Sequence, residues 1–149
     1  MPGIIVGIDG SGHSRRALQW AVREAAIRHA PLTVLTVHQV VVGRWGRAVV
    51  YLEDYPLAEC NRRAAEQEVD DVLAGLGESG PESVMVKAVS GGPVEELIEA
   101  SRTADLLVLG SRGAGGFARL LMGSIATQVA HHAYCPIVII PPADRECLR

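Results

Sequence analysis

Leu106-Leu107-Val108-Leu109-Gly110-Ser111-Arg112-Gly113-Ala114-Gly115-Gly116-Phe117-Ala118-Arg119-Leu120-Leu121-Met122-Gly123-Ser124 is the stretch from which the rest of the chain is read. Four aliphatic residues run into Gly110, the pattern of a short strand buried on both faces. A glycine-rich loop follows, and then Gly123, Ser124 and an apolar, alanine-containing segment that reads as a helix. Glycine admits positive φ and lets backbone N–H groups come close to a ligand. Ser124 is expected to cap the helix. A helix start after such a loop suits an anion, because its first N–H groups lack partners and its dipole favours negative charge.

Two other phosphate-binding patterns do not apply. No Gly-Lys-Ser/Thr occurs, so there is no P-loop. Gly113-Ala114-Gly115-Gly116-Phe117-Ala118 superficially matches the dinucleotide fingerprint. It follows the fourth strand instead of the first, and lacks the acidic residue expected about 20 positions on.

Outward from this stretch, the chain alternates strands and helices. Ile4–Ile8 is the first strand and ends in Asp9-Gly10-Ser11-Gly12, a second polar, glycine-rich turn that opens a helix capped by Ser11 or Ser14. Leu18, Val22 and Ala25 form its apolar stripe, and His29 marks its end before Pro31. Leu32–Val37 is strand two. The 38–55 segment, with Trp45 and Tyr51, has no clear period and is either a lid or variable surface. Leu57–Leu76 is a helix buried along Ala65, Val69, Val72 and Leu76, with Gly77 at its C-terminal cap. Ser83–Ser90 is strand three, and Lys87 within it points to a sheet edge. Pro93, Glu95 and Glu96 suit the first turn of a third helix. Ser124–Ala133 is the last helix, with Ile125 and Val129 inward, and Ile137–Ile140 is the fifth strand.

This alternation is that of an α/β, doubly wound parallel five-stranded sheet with helices on both faces. Right-handed crossovers give the strand order 3-2-1-4-5. Asp9 and Gly110 then face one crevice at the switch point, where such folds bind ligands. The fifth strand becomes an all-aliphatic edge that invites pairing with a second copy, and a monomer on gel filtration would count against that pairing.

The spacing Gly110-x2-Gly113-x9-Gly123-Ser124 resembles the nucleotide-binding motif of the universal stress protein family, in its ATP-binding branch. The Asp9-Gly10-Ser11 turn and the Gly91-Gly92-Pro93 turn match as well, so the resemblance runs from Ile4 to Pro141 and implies one such domain over residues 1–149. It implies that Asp9 contacts ribose, where the bland reading is a capping residue. It implies that Val37 holds adenine through its backbone, where the bland reading is core. Gly110, Gly113 and Gly123 would let backbone amides surround the phosphates, and Ser124 would hydrogen-bond one of them. Arg112 either pairs with a phosphate or is exposed. The cofactor implied is ATP, with Mg²⁺ held through the phosphates, and the assembly implied is a homodimer through the Ile137–Ile140 edge. AMP and cyclic AMP remain alternative ligands.

The bulk properties narrow the function classes. Of 149 residues 48% are hydrophobic and 21% charged, which places the chain among globular proteins. A net charge of −3 gives no support to bulk nucleic-acid binding. No apolar run reaches the roughly 18–20 residues of a membrane span. Cys60, Cys135 and Cys147 are unclustered and fit reduced thiols in a cytoplasmic protein. Fast phosphoryl transfer needs a positioned base and cationic clamps. Neither is evident, so a regulatory nucleotide-binding protein in stress response, with an unknown protein partner, is the leading expectation. A slow ATPase or phosphotransferase is the alternative.

Overall fold

The computed structural model describes residues 3–39, 54–77, 80–111 and 122–142. Among these, the elements run β1 (Ile4–Ile8), α1 (Gly12–Arg28), β2 (Leu32–Gln39), α2 (Asp54–Ala74), β3 (Val84–Gly91), α3 (Pro93–Ser101), β4 (Leu106–Gly110), α4 (Ser124–His132) and β5 (Ile137–Ile140). The strands form one parallel sheet in the order β3-β2-β1-β4-β5, as the alternation predicts. β1 is the centre: Ile4 lies opposite both Leu32 of β2 and Leu106 of β4.

Side chains alternate across the sheet and divide the core in two. Ile4, Val6, Val34 and Val108 pack with Leu18 and Val22 of α1 and Val69 of α2 on one face. Leu35, Leu107 and Leu109 pack with Leu97 of α3 and Val129 of α4 on the other. The central strands are therefore apolar at nearly every position, because neither face meets water.

Local signals set the helix ends. Ser11 caps α1: its side chain accepts the Ser14 N–H at 3.2 Å. His29 ends α1 in the left-handed conformation, φ 53°, and the Ala30 N–H reaches back to the Ala25 carbonyl. α2 begins at Asp54, earlier than the Leu57 expected from periodicity, because Pro56 is tolerated in a first turn. β2 runs to Gln39, past the expected Val37. In α4 the inward residues are Ala126 and Val129, while Ile125 is 36% exposed, which corrects the expected stripe. β3 is an edge strand, and Met85 and Lys87 on it are exposed. β5 is the opposite edge. Residues 40–53, which hold most of the long segment with Trp45 and Tyr51, lie outside the described residues. Among the described residues, no helix is long and apolar enough to cross a membrane.

Candidate functional site

Strands β1 and β4 are neighbours, and the chain leaves their carboxyl ends toward opposite faces, β1 into α1 and β4 toward α4. Such a divergence opens a crevice above the sheet.

The β1 side of this crevice is a closed hydrogen-bonded turn. The Asp9 carboxylate accepts the Ser11 N–H at 2.9 Å, and the Asp9 N–H donates to Ser14 Oγ at 3.2 Å. Ser14 Oγ in turn donates to the Ser11 carbonyl at 3.1 Å, which satisfies this buried hydroxyl. Gly10 sits at φ +83° with open space where a Cβ would go, so conformation and not crowding calls for glycine there. Ser11 is the helix cap. Asp9 instead orders the turn, and its side chain is exposed at the strand end.

The β4 side is built around Ser111. Its N–H donates to the Ile140 carbonyl at 2.9 Å, and its own carbonyl accepts the Gly123 N–H at 2.5 Å. One residue thus ties β4 to β5 and to the start of α4, and brings Gly110 and Gly123 together across the loop between them. Gly123, not Ser124, is the N-cap of α4, with φ −71° and ψ 163°. The reason is that the Gly123 carbonyl already accepts the first helical bond from Thr127 N, and Thr127 Oγ1 as well. Ser124 is the first helical residue and is exposed. Glycine has no side chain to satisfy the first N–H groups, so α4 begins without a side-chain cap.

Sequence reasoning passed over Ser111 itself. It is 4% exposed, and among the described residues its Oγ is the buried side-chain polar atom with no hydrogen-bond partner. Burying a hydroxyl unpaired costs about 1–3 kcal/mol. The available signal was a hydroxyl placed directly after an entirely apolar strand.

Val37 lies one strand further out, opposite Val89, and its half-buried side chain packs against the α3/α4 core. Its side chain therefore has the core role. Its backbone is placed differently: β2 pairs with β1 only as far as Thr36 but with β3 as far as Gln39. Among the described residues, Val37, His38 and Gln39 thus have a strand on one side alone. Asn61 of α2 meets His38 there, with Nδ2 3.3 Å from the imidazole Nδ1. Arg112 and Gly113 lie outside the described residues.

Beside the crevice, between the start of α1 and α2, is a cleft of about 400 Å³. Gly10, Ser11, Arg15, Gln67, Glu68 and Asp71 line it. Burial pushes the Glu68 carboxyl above its ordinary value, Asp9 and Asp71 push it the same way, and Arg15 opposes them. A glutamate on an amphipathic helix ordinarily faces solvent, yet Glu68 is half-buried on α2. The fold brings Glu68 close enough to the β1–α1 turn for Asp9 to act on it. Among the described residues, no group of three or more His, Cys, Asp or Glu side chains is arranged to hold a metal ion.

Comparison with known proteins agrees with this architecture. The profile of the Universal stress protein family matches residues 2–141. A universal stress protein of Mycolicibacterium smegmatis is 35% identical over 144 residues, covering 96% of this chain and 49% of that protein. The chain thus spans about half the length of the curated relatives it matches. A universal stress protein solved in complex with cAMP superposes with a TM-score of 0.66 at 27% identity, over 94% of this chain and 96% of that one. The universal stress protein of Archaeoglobus fulgidus in complex with dAMP shares the fold, with a TM-score of 0.63 at 23% identity, over 94% of this chain and 98% of that one. With the profile matching nearly the whole chain and curated relatives above 30% identity, the chain belongs to the universal stress protein family.

Proposed function

We propose that this chain is a nucleotide-binding regulatory protein of the stress response that holds an adenine nucleotide, ATP in the first instance, in the crevice above β1, β2 and β4. One observation carries the reading. The Asp9–Gly12 turn and the Gly110–Gly123 junction open side by side at the β1/β4 boundary, one ordered by an exposed carboxylate and the other ending in an uncapped helix N-terminus. An acceptor suits a ribose hydroxyl, and free amides suit phosphate.

In this reading Asp9 takes the ribose, and the Val37 backbone takes adenine from the stretch of β2 that has lost its β1 neighbour. Gly110, Gly113 and Gly123 let amides approach the phosphates, Ser124 donates to one of them, and Arg112 pairs with another. Mg²⁺ arrives with the phosphates. Binding then biases a conformational or assembly equilibrium that a protein partner reads. Cyclic AMP is the second reading, favoured by the relative solved with cAMP. Slow ATP hydrolysis is compatible with either.

Calorimetric titration with ATP, AMP and cyclic AMP, with and without Mg²⁺, tests the proposal. Saturable binding of ATP is expected. Asp9→Asn keeps an acceptor for the Ser11 N–H but loses the carboxylate, so ATP affinity should fall about tenfold, or about 1.4 kcal/mol, with the fold intact. Preference for cyclic AMP moves the reading to the second ligand, and no binding of any of the three removes it.

For assembly we propose that two copies pair along the β5 edge. β5 carries four aliphatic residues that are only half-buried in the single chain. Light scattering should return twice the chain mass, and a monomer at high micromolar concentration would rule this out.

A further inference from the structure

We infer that Ser111 is a further ligand-binding residue, whose hydroxyl donates to a phosphoryl oxygen of the nucleotide at the start of α4. The inference rests on the nucleotide reading above and deepens it.

Two independent observations meet at this point. First, Ser111 Oγ is buried and has no partner among the described residues, whereas the other buried hydroxyls are bonded. Ser14 Oγ donates to the Ser11 carbonyl, and Ser101 Oγ donates to the Ile98 carbonyl while accepting the Tyr134 N–H. Native proteins rarely leave such a group unpaired without a reason. Second, α4 is nine residues long and starts on Gly123 without a side-chain cap, so no capping side chain takes its first amides.

The geometry brings the two together. Leu107 and Leu109 point into the α3/α4 core, and strand alternation carries Ser111 to that same side, toward α4. The Gly123 N–H bond to the Ser111 carbonyl holds the cap residue of α4 against it, while the Ser111 N–H is fixed on Ile140. Both backbone groups of Ser111 are engaged, so the side chain is the part left to act. Its O–H and the α4 amides are all donors, and donors converging at a helix N-terminus select an anionic oxygen.

A ligand-directed hydroxyl has an unusual signature under substitution. Ser111→Ala removes an unpaired buried polar atom from the free protein, so the ligand-free melting temperature should hold or rise. The same change should weaken ATP about tenfold and leave adenosine, which has no phosphate, unaffected. The experiment is calorimetric titration of wild type and Ser111→Ala with ATP and with adenosine, beside thermal melts of both without ligand. Equal ATP affinity in the two proteins overturns the inference while wild-type ATP binding keeps the nucleotide reading. A lower ligand-free melting temperature with parallel loss of ATP and adenosine also overturns it, and makes Ser111 a structural residue. Wild-type protein that binds neither ligand removes the nucleotide reading, and the role of Ser111 falls with it.

Discussion

Leu107→Ala is expected to lower the free energy of unfolding by about 2–5 kcal/mol, the range for a buried leucine cut back to alanine. The upper half applies here. Leu107 is 0% exposed and packs with Leu35, Leu97, Leu109 and Val129 on the α3/α4 face of the sheet. The backbone is equally constrained, because the Leu107 N–H is held by the Pro136 carbonyl and the strand pairs on both sides. Leu107→Met keeps the volume and should cost less than about 1.5 kcal/mol. Urea denaturation of the three proteins gives the comparison directly. A loss below about 1 kcal/mol for the alanine variant would show that α3 and α4 settle onto the sheet, and that this layer is not a close-packed one.

Gly7→Val presses on the same layer from within the sheet. A Cβ at Gly7 would stand 2.9 Å from a terminal methyl of Leu97 and 2.9 Å from one of Leu109. Both leucines are 4% exposed, so neither swings into solvent without loss. Overpacking of this kind costs about 1–3 kcal/mol. Removing a glycine from a strand returns roughly 0.5–1 kcal/mol of backbone entropy, so a net loss of about 1 kcal/mol is expected. The mechanism has its own check. Combining Gly7→Val with Leu97→Ala vacates the space the valine needs, so the double variant should be less destabilised than the sum of the two single ones. Additive losses in the double-mutant cycle would mean that the two side chains do not meet.

Gly7 also shows what sequence alone makes legible. Its place in an otherwise aliphatic strand is plain, but the reason for it is a leucine ninety residues later on α3. The sheet order was readable because it follows from local things: the alternation of apolar runs with helical stripes, and a lysine at position 87 that no central strand would carry. Pro93 with Glu95 and Glu96 announced α3 for the same reason. The cap of α4 was misread by one residue because serine is the better capping side chain. The bond from the Gly123 N–H to the Ser111 carbonyl, which fixes where the helix starts on the sheet, spans a loop and has no local trace. That contact, with Val129 buried, sets the rotation of α4 and turns Ala126 inward in place of Ile125. In the site, Asp9, Gly110 and Gly123 stood out by residue type and position. Ser111 and Glu68 did not, because burial and proximity gave them their character. An ordinary serine became an unpaired hydroxyl, and a surface-type glutamate came to feel Asp9.

The central position of β1 carries a consequence for how the molecule comes together. One side of this strand is closed by β2, joined to it through the single helix α1, and β2 is joined to β3 by a longer connection that holds α2. The other side waits for β4, which is synthesised after most of the chain and pairs with β1 across that whole length. Long closures are the slow ones. The β1–β4 boundary is thus a late joint by chain separation, while hydrogen exchange at these buried central strands should report global unfolding and not local opening. The crevice lies directly above it. A molecule seated across Asp9 and Gly110 would bind only the folded sheet and stabilise it by an amount that grows with the logarithm of its concentration above Kd. The amount of this protein held folded would then follow the concentration of such a ligand.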